Sequence, residues 1–372
     1  MAKPARRASV SGKLRRQTGD RMRPTRCRIM VLGIGGAGND TVNRLIESGL
    51  SGAECVAINT DLRDLNSAIV SRKVLIGEST TRGLSAKGDP EIGKEAIRES
   101  RTYLESLLEN VDVVFIGAGL GGGTGTGAAP IAAEIARGKG AVVVGMVTTP
   151  LRTEENKVDN ASRALKEMLS VCDTVVVIDS SRIMESRPGL PAGEVFKVAD
   201  QVLANMIAGI VETLTSPSLV NLDFAEFKNI VSKGGIAVVG VGESDTRNRA
   251  EEAVRTALNF PLLDTDYVGA KGALINVSGD LNMTLDEANR VREIVTRTIG
   301  RNALISWGAR VNSHTEGSLK VTVVMTGVNS SSKLGGFGDS MPRLYDLESS
   351  FSEPEKHLRI DLDLDQIEDL ED

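Results

Sequence analysis

Residues 117–127 read Gly-Ala-Gly-Leu-Gly-Gly-Gly-Thr-Gly-Thr-Gly, seven glycines in eleven positions, between an apolar run at 111–116 and a helix-like run at 128–136. This composition suits the holding of phosphate. Glycine lets the backbone approach an anion closely and tolerates positive φ. Successive N–H groups can converge on phosphate oxygens, and a helix N-terminus adds partial positive charge. Thr124 and Thr126 add hydroxyls, which gives Gly121, Gly122, Gly123, Thr124, Gly125, Thr126 and Gly127 as candidate ligand residues. The stretch contains no lysine, and the chain has no G-x-x-x-x-G-K-[ST], so the P-loop solution is excluded.

A second glycine loop follows an apolar strand pattern at 28–32 and reads Gly33-Ile-Gly35-Gly36-Ala37-Gly38-Asn39-Asp40. It fits G-x-G-x-x-G, the dinucleotide fingerprint. The next strand candidate, 54–58, runs into Asn59-Thr60-Asp61, where an acid can hold a ribose. By itself this region reads as a site for NAD. Two phosphate-type loops in one α/β unit fit one nucleotide held from two sides better. The only histidines, His314 and His357, are not beside a predicted strand end of this half, so an acid–base residue for hydride transfer is hard to name.

The elements that must position these loops are legible. Strand candidates at 28–32, 54–58, 73–77, 112–116, 141–147 and 174–179 are apolar throughout rather than alternating, as expected of a parallel sheet covered on both faces. Helical patterns near 39–49, 91–108, 127–137 and 156–169 lie between them. The spacing predicts a doubly wound α/β domain. Residues 193–215 form a long helix whose apolar stripe, Val195, Val198, Val202, Met206 and Ile210, is widened by Leu203, Ile207 and Leu214. So wide an apolar surface predicts a buried connector. A smaller α+β unit follows, with strands expected at 235–241, 272–278, 303–311 and 319–326 and helices near 246–258 and 284–299. The last of these opens with Thr284-Leu-Asp-Glu287, a capping box.

With 372 residues the chain is long enough for two domains. Apolar residues make up 41% and aromatics only 3%, which argues against aromatic platforms for single-stranded nucleic acid. A net charge of −6 disfavours nucleic acid as the main partner. Cys27, Cys55 and Cys172 lack metal-ligand spacing and read as small core residues in a reducing cytosol. No apolar run approaches the length of a membrane span. The charge is segregated: residues 1–26 hold nine Lys/Arg against one Asp, and residues 330–372 hold twelve Asp/Glu against four Lys/Arg. Both ends read as disordered tails. The basic one is a solvated tail, a transit peptide, or a contact for anionic membrane or acidic tails. In the acidic one, Leu358, Ile360, Leu362, Leu364, Ile367 and Leu370 look like a docking peptide.

Together the two loops and Asn59-Thr60-Asp61 resemble the tubulin/FtsZ family of self-assembling GTPases. Gly-Gly-Gly-Thr-Gly-Thr-Gly at 121–127 matches that family's signature. Thr148-Thr149-Pro150-Leu151, Phe196-Lys-Val-Ala-Asp200 and Pro217-Ser-Leu-Val-Asn221-Leu-Asp223-Phe-Ala-Glu226 follow in the same order. The resemblance covers roughly 27–328 and is strongest to archaeal cell-division forms. It implies a tail at 1–26, a GTP-binding domain at 27–192, a central helix at 193–216, a C-terminal domain at 217–328, a linker at 329–356 and a docking peptide at 357–372. It also implies GTP/GDP with Mg2+, head-to-tail self-assembly in a cytoplasmic division ring at midcell, and recruitment of membrane tethers or division proteins through 357–370.

The resemblance assigns roles as well. Asp200 would accept from the guanine edge, Phe196 would stack on the base, and Glu154 would be a ribose- or phosphate-side acid. Thr149 and Pro150 would line the site, and the loop at 80–90 would sense the γ-phosphate. Asn221, Asp223 and Glu226 would reach into a neighbouring subunit's nucleotide; without the resemblance, Asp-x-x-Glu reads first as a helix cap, and Asp223 can hold both roles. The chain departs from the family in five places. Residues 85–90 read Ser-Ala-Lys87-Gly88-Asp-Pro where the family has Gly-Ala-Gly-x-x-Pro, so Lys87 either faces the γ-phosphate or solvent. Glu226 stands for the usual Asp, Val158 for a frequent Arg, Ser180 for an Asn, and Asp40 for a common Asn. These departures leave open a GTP-binding scaffold or regulatory form with little hydrolysis.

Overall fold

Val- and Ile-rich runs with no polar alternation can satisfy both faces only when helices cover both, and the chain does this. A computed structural model describes residues 27–216, 218–260, 269–300, 302–312 and 317–328. The two tails, the linker and the 357–370 segment lie outside those residues. The strands are Ile29–Ile34 (β1), Ala53–Asn59 (β2), Arg72–Leu75 (β3), Val113–Gly119 (β4), Val142–Thr149 (β5), Thr174–Asp179 (β6), Ile236–Ser244 (β7), Gly272–Gly279 (β8), Leu304–Val311 (β9) and Leu319–Thr326 (β10). The helices are Gly35–Glu47 (α1), Leu62–Ser67 (α2), Glu78–Thr81 (α3), Pro90–Glu99 (α4), Arg101–Leu107 (α5), Thr124–Gly138 (α6), Glu155–Val171 (α7), Ser180–Ser186 (α8), Ala192–Thr215 (α9), Phe224–Val231 (α10), Arg249–Leu258 (α11) and Leu285–Ile299 (α12).

All ten strands join one sheet in the order β3-β2-β1-β4-β5-β6-β7-β10-β8-β9. The first six are mutually parallel, and β7 joins β6 in parallel through Val175–Ile236 and Val176–Ala237. β10 runs antiparallel between β7 and β8, and β8 pairs with β9 in parallel. Winding reverses between β1 and β4. In such sheets the crevice beyond the strand C-termini at that reversal is where ligands bind.

One face of the sheet buries Ile97 of α4, Leu104 of α5, Ala132 of α6 and Met168 of α7. The other buries Leu45 of α1, Ile207 of α9 and Phe227 of α10. Phe227 meets Phe115 of β4 with ring centroids 6.5 Å apart, which fixes α10 to the nucleotide half. A third cluster packs α11 and α12 on β8 and β10 through Val254, Val291 and Val321. α9 is buried on most sides, in keeping with its wide stripe, and Thr284 and Glu287 form the expected capping box. Cys55 and Cys172 are buried and Cys27 half-buried. Burial chiefly, with an adjacent acid, pushes their thiols up to about 11, 12 and 11 respectively.

The structure corrects several sequence expectations. Little of the glycine stretches is loop: α1 begins at Gly35 directly after β1, β4 runs to Gly119 and α6 begins at Thr124, leaving only 120–123 between them. The single helix expected at 91–108 breaks at Ser100. Helices α2, α3 and α8 are additions to the expected set, and the helix that Asp223-x-x-Glu226 would cap is present as α10. α2, α8 and α10 are short segments capped by aspartates, Asp61, Asp179 and Asp223.

Candidate nucleotide site

The β1 and β4 strands pair in register to Ile34–Ala118, so α1 and α6 start side by side at the sheet's C-terminal edge. Neither helix has a side-chain N-cap. Their first N–H groups therefore lack intrahelical partners and face a cleft of about 500 Å³, within the size range of small-molecule sites.

Gly35, Gly36, Ala37 and Asp40 line this cleft from α1, and Gly122, Gly123, Thr124 and Gly125 line it from the start of α6. Asp61 follows β2, and Gly88 lies in the 82–89 loop beside Lys87, which also lines the cleft. Thr149, Pro150 and Glu154 come from the end of β5 and the turn after it. Phe196 and Asp200 come from the first turns of α9. Residues as distant in the chain as Gly35 and Asp200 thus converge on one crevice. Thr149 Oγ1 is buried with no hydrogen-bond partner among the described residues, as suits a hydroxyl completed by a ligand.

Other candidates have structural positions. A β-carbon on Gly38 would collide with the Gly117 carbonyl oxygen, and one on Gly127 with that of Pro90. These glycines let α1 pack on β4 and α6 pack on α4. Thr126 Oγ1 accepts the Gly121 N–H at 2.8 Å, pinning the loop from behind. Gly121 has φ +106°, and a β-carbon there would press on Lys157 Cβ at 2.9 Å. Asn39 is buried with neither amide atom partnered among the described residues. Asp61 caps α2, accepting from Arg63 N at 2.9 Å.

Sequence reasoning missed Lys157, Asp64 and Asn59, which also line the cleft. Asn59 donates to Asp64 at 2.5 Å. Lys157 precedes Val158 in α7. Val158 itself is buried in the core, and Ser180 is buried outside the cleft lining.

The electrostatics are unusual for a phosphate site. Five carboxylates line the cleft, Asp40, Asp61, Asp64, Glu154 and Asp200, against two ammonium groups, Lys87 and Lys157. Burial, reinforced by the charge of Asp40, pushes the Asp200 carboxyl up to about 7, although Arg44 and the Thr41 hydroxyl oppose the shift. Burial and neighbouring Asp64 raise Asp40 as well, again opposed by Arg44. Lys157 Nζ pairs with Glu154 at 2.5 Å and its backbone abuts the glycine loop, which sets this cation beside the phosphate cradle. Lys157→Met is expected to weaken GTP binding about 10-fold, less at high salt, with Lys157→Arg keeping most of the affinity. Fluorescence titration with a labelled GTP at two ionic strengths checks this. Wild-type affinity in Lys157→Met at low salt would remove Lys157 from the site.

Asn221, Asp223 and Glu226 are not in this cleft. They follow the far end of α9. The fifteen residue steps from Asp200 to Thr215 span roughly 22 Å of helix. Val220 exchanges backbone hydrogen bonds with Ala309 of β9 at 3.2 and 3.0 Å. Asn221 Oδ1 accepts from Ser218 N at 2.9 Å, and Asp223 caps α10 through Ala225 N at 2.7 Å. The Glu226 carboxylate accepts from the Ser306 hydroxyl.

The Tubulin/FtsZ family GTPase domain profile matches residues 28–188, and that of the FtsZ family C-terminal domain matches residues 235–329. The chain is 47% identical to "Cell division protein FtsZ 2" of Methanocaldococcus jannaschii over 83% of this chain and 82% of the relative. It is 48% identical to "Cell division protein FtsZ 1" of Pyrococcus furiosus over 82% of each. The solved structure of a tryptophan-to-tyrosine mutant of M. jannaschii FtsZ superposes with a TM-score of 0.81 at 45% identity, covering 84% of this chain and 95% of that one. A GTPγS-bound protofilament of CetZ2 from Haloferax volcanii, at 24% identity and a TM-score of 0.71, covers 87% of this chain and 99% of its own and shares the fold. With the glycine cradle, the uncapped helix starts and these relatives agreeing, the chain belongs to the tubulin/FtsZ family and carries its GTPase domain.

Proposed function

We propose that the protein is a GTP-dependent, head-to-tail polymerising cytoskeletal protein of the cell-division ring, in which GTP is hydrolysed at subunit interfaces. One observation carries this reading: the acids suited to orienting water stand at the end of α9 opposite the nucleotide cleft. A subunit cannot bring its own Asp223 or Glu226 to its own nucleotide. A second copy stacked on the cleft can, and a head-to-tail contact of that kind propagates as a filament. An M. jannaschii FtsZ dimer is among the solved structures similar to this chain, at 45% identity.

In this account the N–H groups of the α1 and α6 first turns and the Thr124 hydroxyl hold the phosphates. Asp200 accepts from the guanine N1–H and 2-amino groups, and Phe196 covers the base. Asn221 and Asp223 shape the incoming loop, and Glu226 orients the attacking water in line with the γ-phosphate. Among the described residues no group of three His, Cys, Asp or Glu is placed to hold a metal. Magnesium would therefore come with the nucleotide, held by phosphate oxygens and water, and would neutralise charge on the phosphates. No helix among the described residues is long and apolar enough to cross a membrane, so attachment of a cytoplasmic ring at midcell would fall to tethers or division proteins bound by residues 357–370.

Pelleting in GTP and in GDP tests the assembly. Sedimentation with GTP alone is the expected result, and equal recovery in both nucleotides would contradict it. The buried Val158, which by the resemblance stands where the family often has an arginine, favours a second reading, a GTP-gated scaffold with little hydrolysis. Normal pelleting without phosphate release would select that reading.

A further inference from the structure

The loop proposed to enter the neighbour's site is tied to one strand at two points. Val220 is bridged to Ala309 of β9 by paired backbone hydrogen bonds. Glu226, exposed on the first turn of α10, has its Oε2 hydrogen-bonded by the hydroxyl of Ser306, also of β9. Ser306 is buried, 4% exposed, and its strand is held along its whole length by β8 through Leu274–Ser306 and the flanking pairs. The donor is therefore a fixed point. α10 is fixed as well, by Phe227 against Phe115 and by the Asp223 cap.

A glutamate has one more rotatable bond than an aspartate, and its carboxylate sweeps a wider volume when free. Holding it in one rotamer costs entropy. A hydroxyl donated to one oxygen removes that freedom. It also fills only one of about four acceptor positions of the carboxylate, leaving the other oxygen able to take a water. We propose that Ser306 is a positioning residue that fixes the Glu226 carboxylate for its action on the neighbouring subunit's nucleotide and so offsets the extra methylene of glutamate. This inference rests on the role proposed above for Glu226.

The test uses the full chain, with GTP turnover above the assembly threshold, the threshold itself and GTP affinity measured for each variant. Ser306→Ala is expected to lower kcat about 10-fold, with threshold, affinity and thermal midpoint unchanged. Ser306→Thr keeps the hydroxyl and is expected to recover most of the rate. In a Glu226→Asp background, where the shorter carboxylate falls short of the hydroxyl, adding Ser306→Ala is expected to cost nothing further. Wild-type turnover in Ser306→Ala, while Glu226→Ala is slow, would overturn the positioning role and leave the Glu226 role standing. A Ser306→Thr protein as slow as Ser306→Ala would overturn it too, as would a rate loss matched by a raised threshold. Wild-type turnover in Glu226→Ala would instead remove the role of Glu226 and the positioning role with it.

Discussion

Glu226→Ala is expected to slow GTP turnover by about 10²–10³-fold per assembled subunit while leaving GTP affinity and the assembly threshold close to wild type. The reason is geometric. Glu226 is exposed and lies beyond the far end of α9, so its removal cannot disturb the cleft. Its hydrogen-bond partner Ser306 loses only an acceptor. Phe227 and the Asp223 cap keep α10 in place. Mixing sharpens the result. A variant that cannot bind nucleotide still presents an intact Glu226 loop. Added to Glu226→Ala, it is expected to raise turnover above either protein alone, since each supplies what the other lacks. No gain on mixing, with both variants confirmed in the same filaments, would place the chemistry within one subunit.

Asp200→Ala is expected to cost GTP affinity about 10²-fold or more and to erase the preference for guanine over adenine, because two charge-assisted hydrogen bonds go with the carboxylate. Competition binding of GTP and ATP to the two proteins measures both effects. The same residue predicts a pH dependence. Asp200 carries a proton up to about pH 7, from burial first and from the negative charge of Asp40 second. Only its ionised form accepts from both guanine donors, so GTP binding weakens as pH falls below about 7. For nucleotide-free protein the sign reverses. A carboxyl whose folded pKa lies above its ordinary 3.8 contributes stability that is full below that ordinary value and is lost as pH rises through about 7. GTP should therefore raise the thermal midpoint more at about pH 8 than at about pH 6. Arg44 and Thr41 oppose the shift. Asp40→Asn removes the like charge and should move the transition to lower pH.

Much of the fold is legible because its signals are local and strong. The unbroken apolar strands predict a sheet covered on both faces, and all ten strands form within a few residues of their expected positions. The Thr284–Glu287 box forms as its sequence suggests. The remainder is ambiguous for a shared reason. Asp61 reads as a ligand acid and Asp223 as a catalytic acid or a helix cap, and each is the N-cap of a short helix. A capping aspartate and a catalytic one look alike when the helix behind them has no more than eight residues. Glycine has a similar double meaning. Gly38 and Gly127 read as phosphate binders, and both make room for helix packing. Lys157 sits at an ordinary helical position, and only the fold sets it against Gly121. The Glu226–Ser306 contact joins residues 80 positions apart, and no spacing rule within the chain announces it.

Hydrolysis of one subunit's nucleotide with the help of another subunit's α10 loop would make turnover depend on assembly. The most direct test is GTP turnover per molecule measured across a range of protein concentrations, with pelleting of the same samples. Near-zero turnover below a threshold, a rise above it, and pelleted mass appearing at that same threshold are the expected result. A turnover per molecule that stays constant from dilute to concentrated protein would contradict the account.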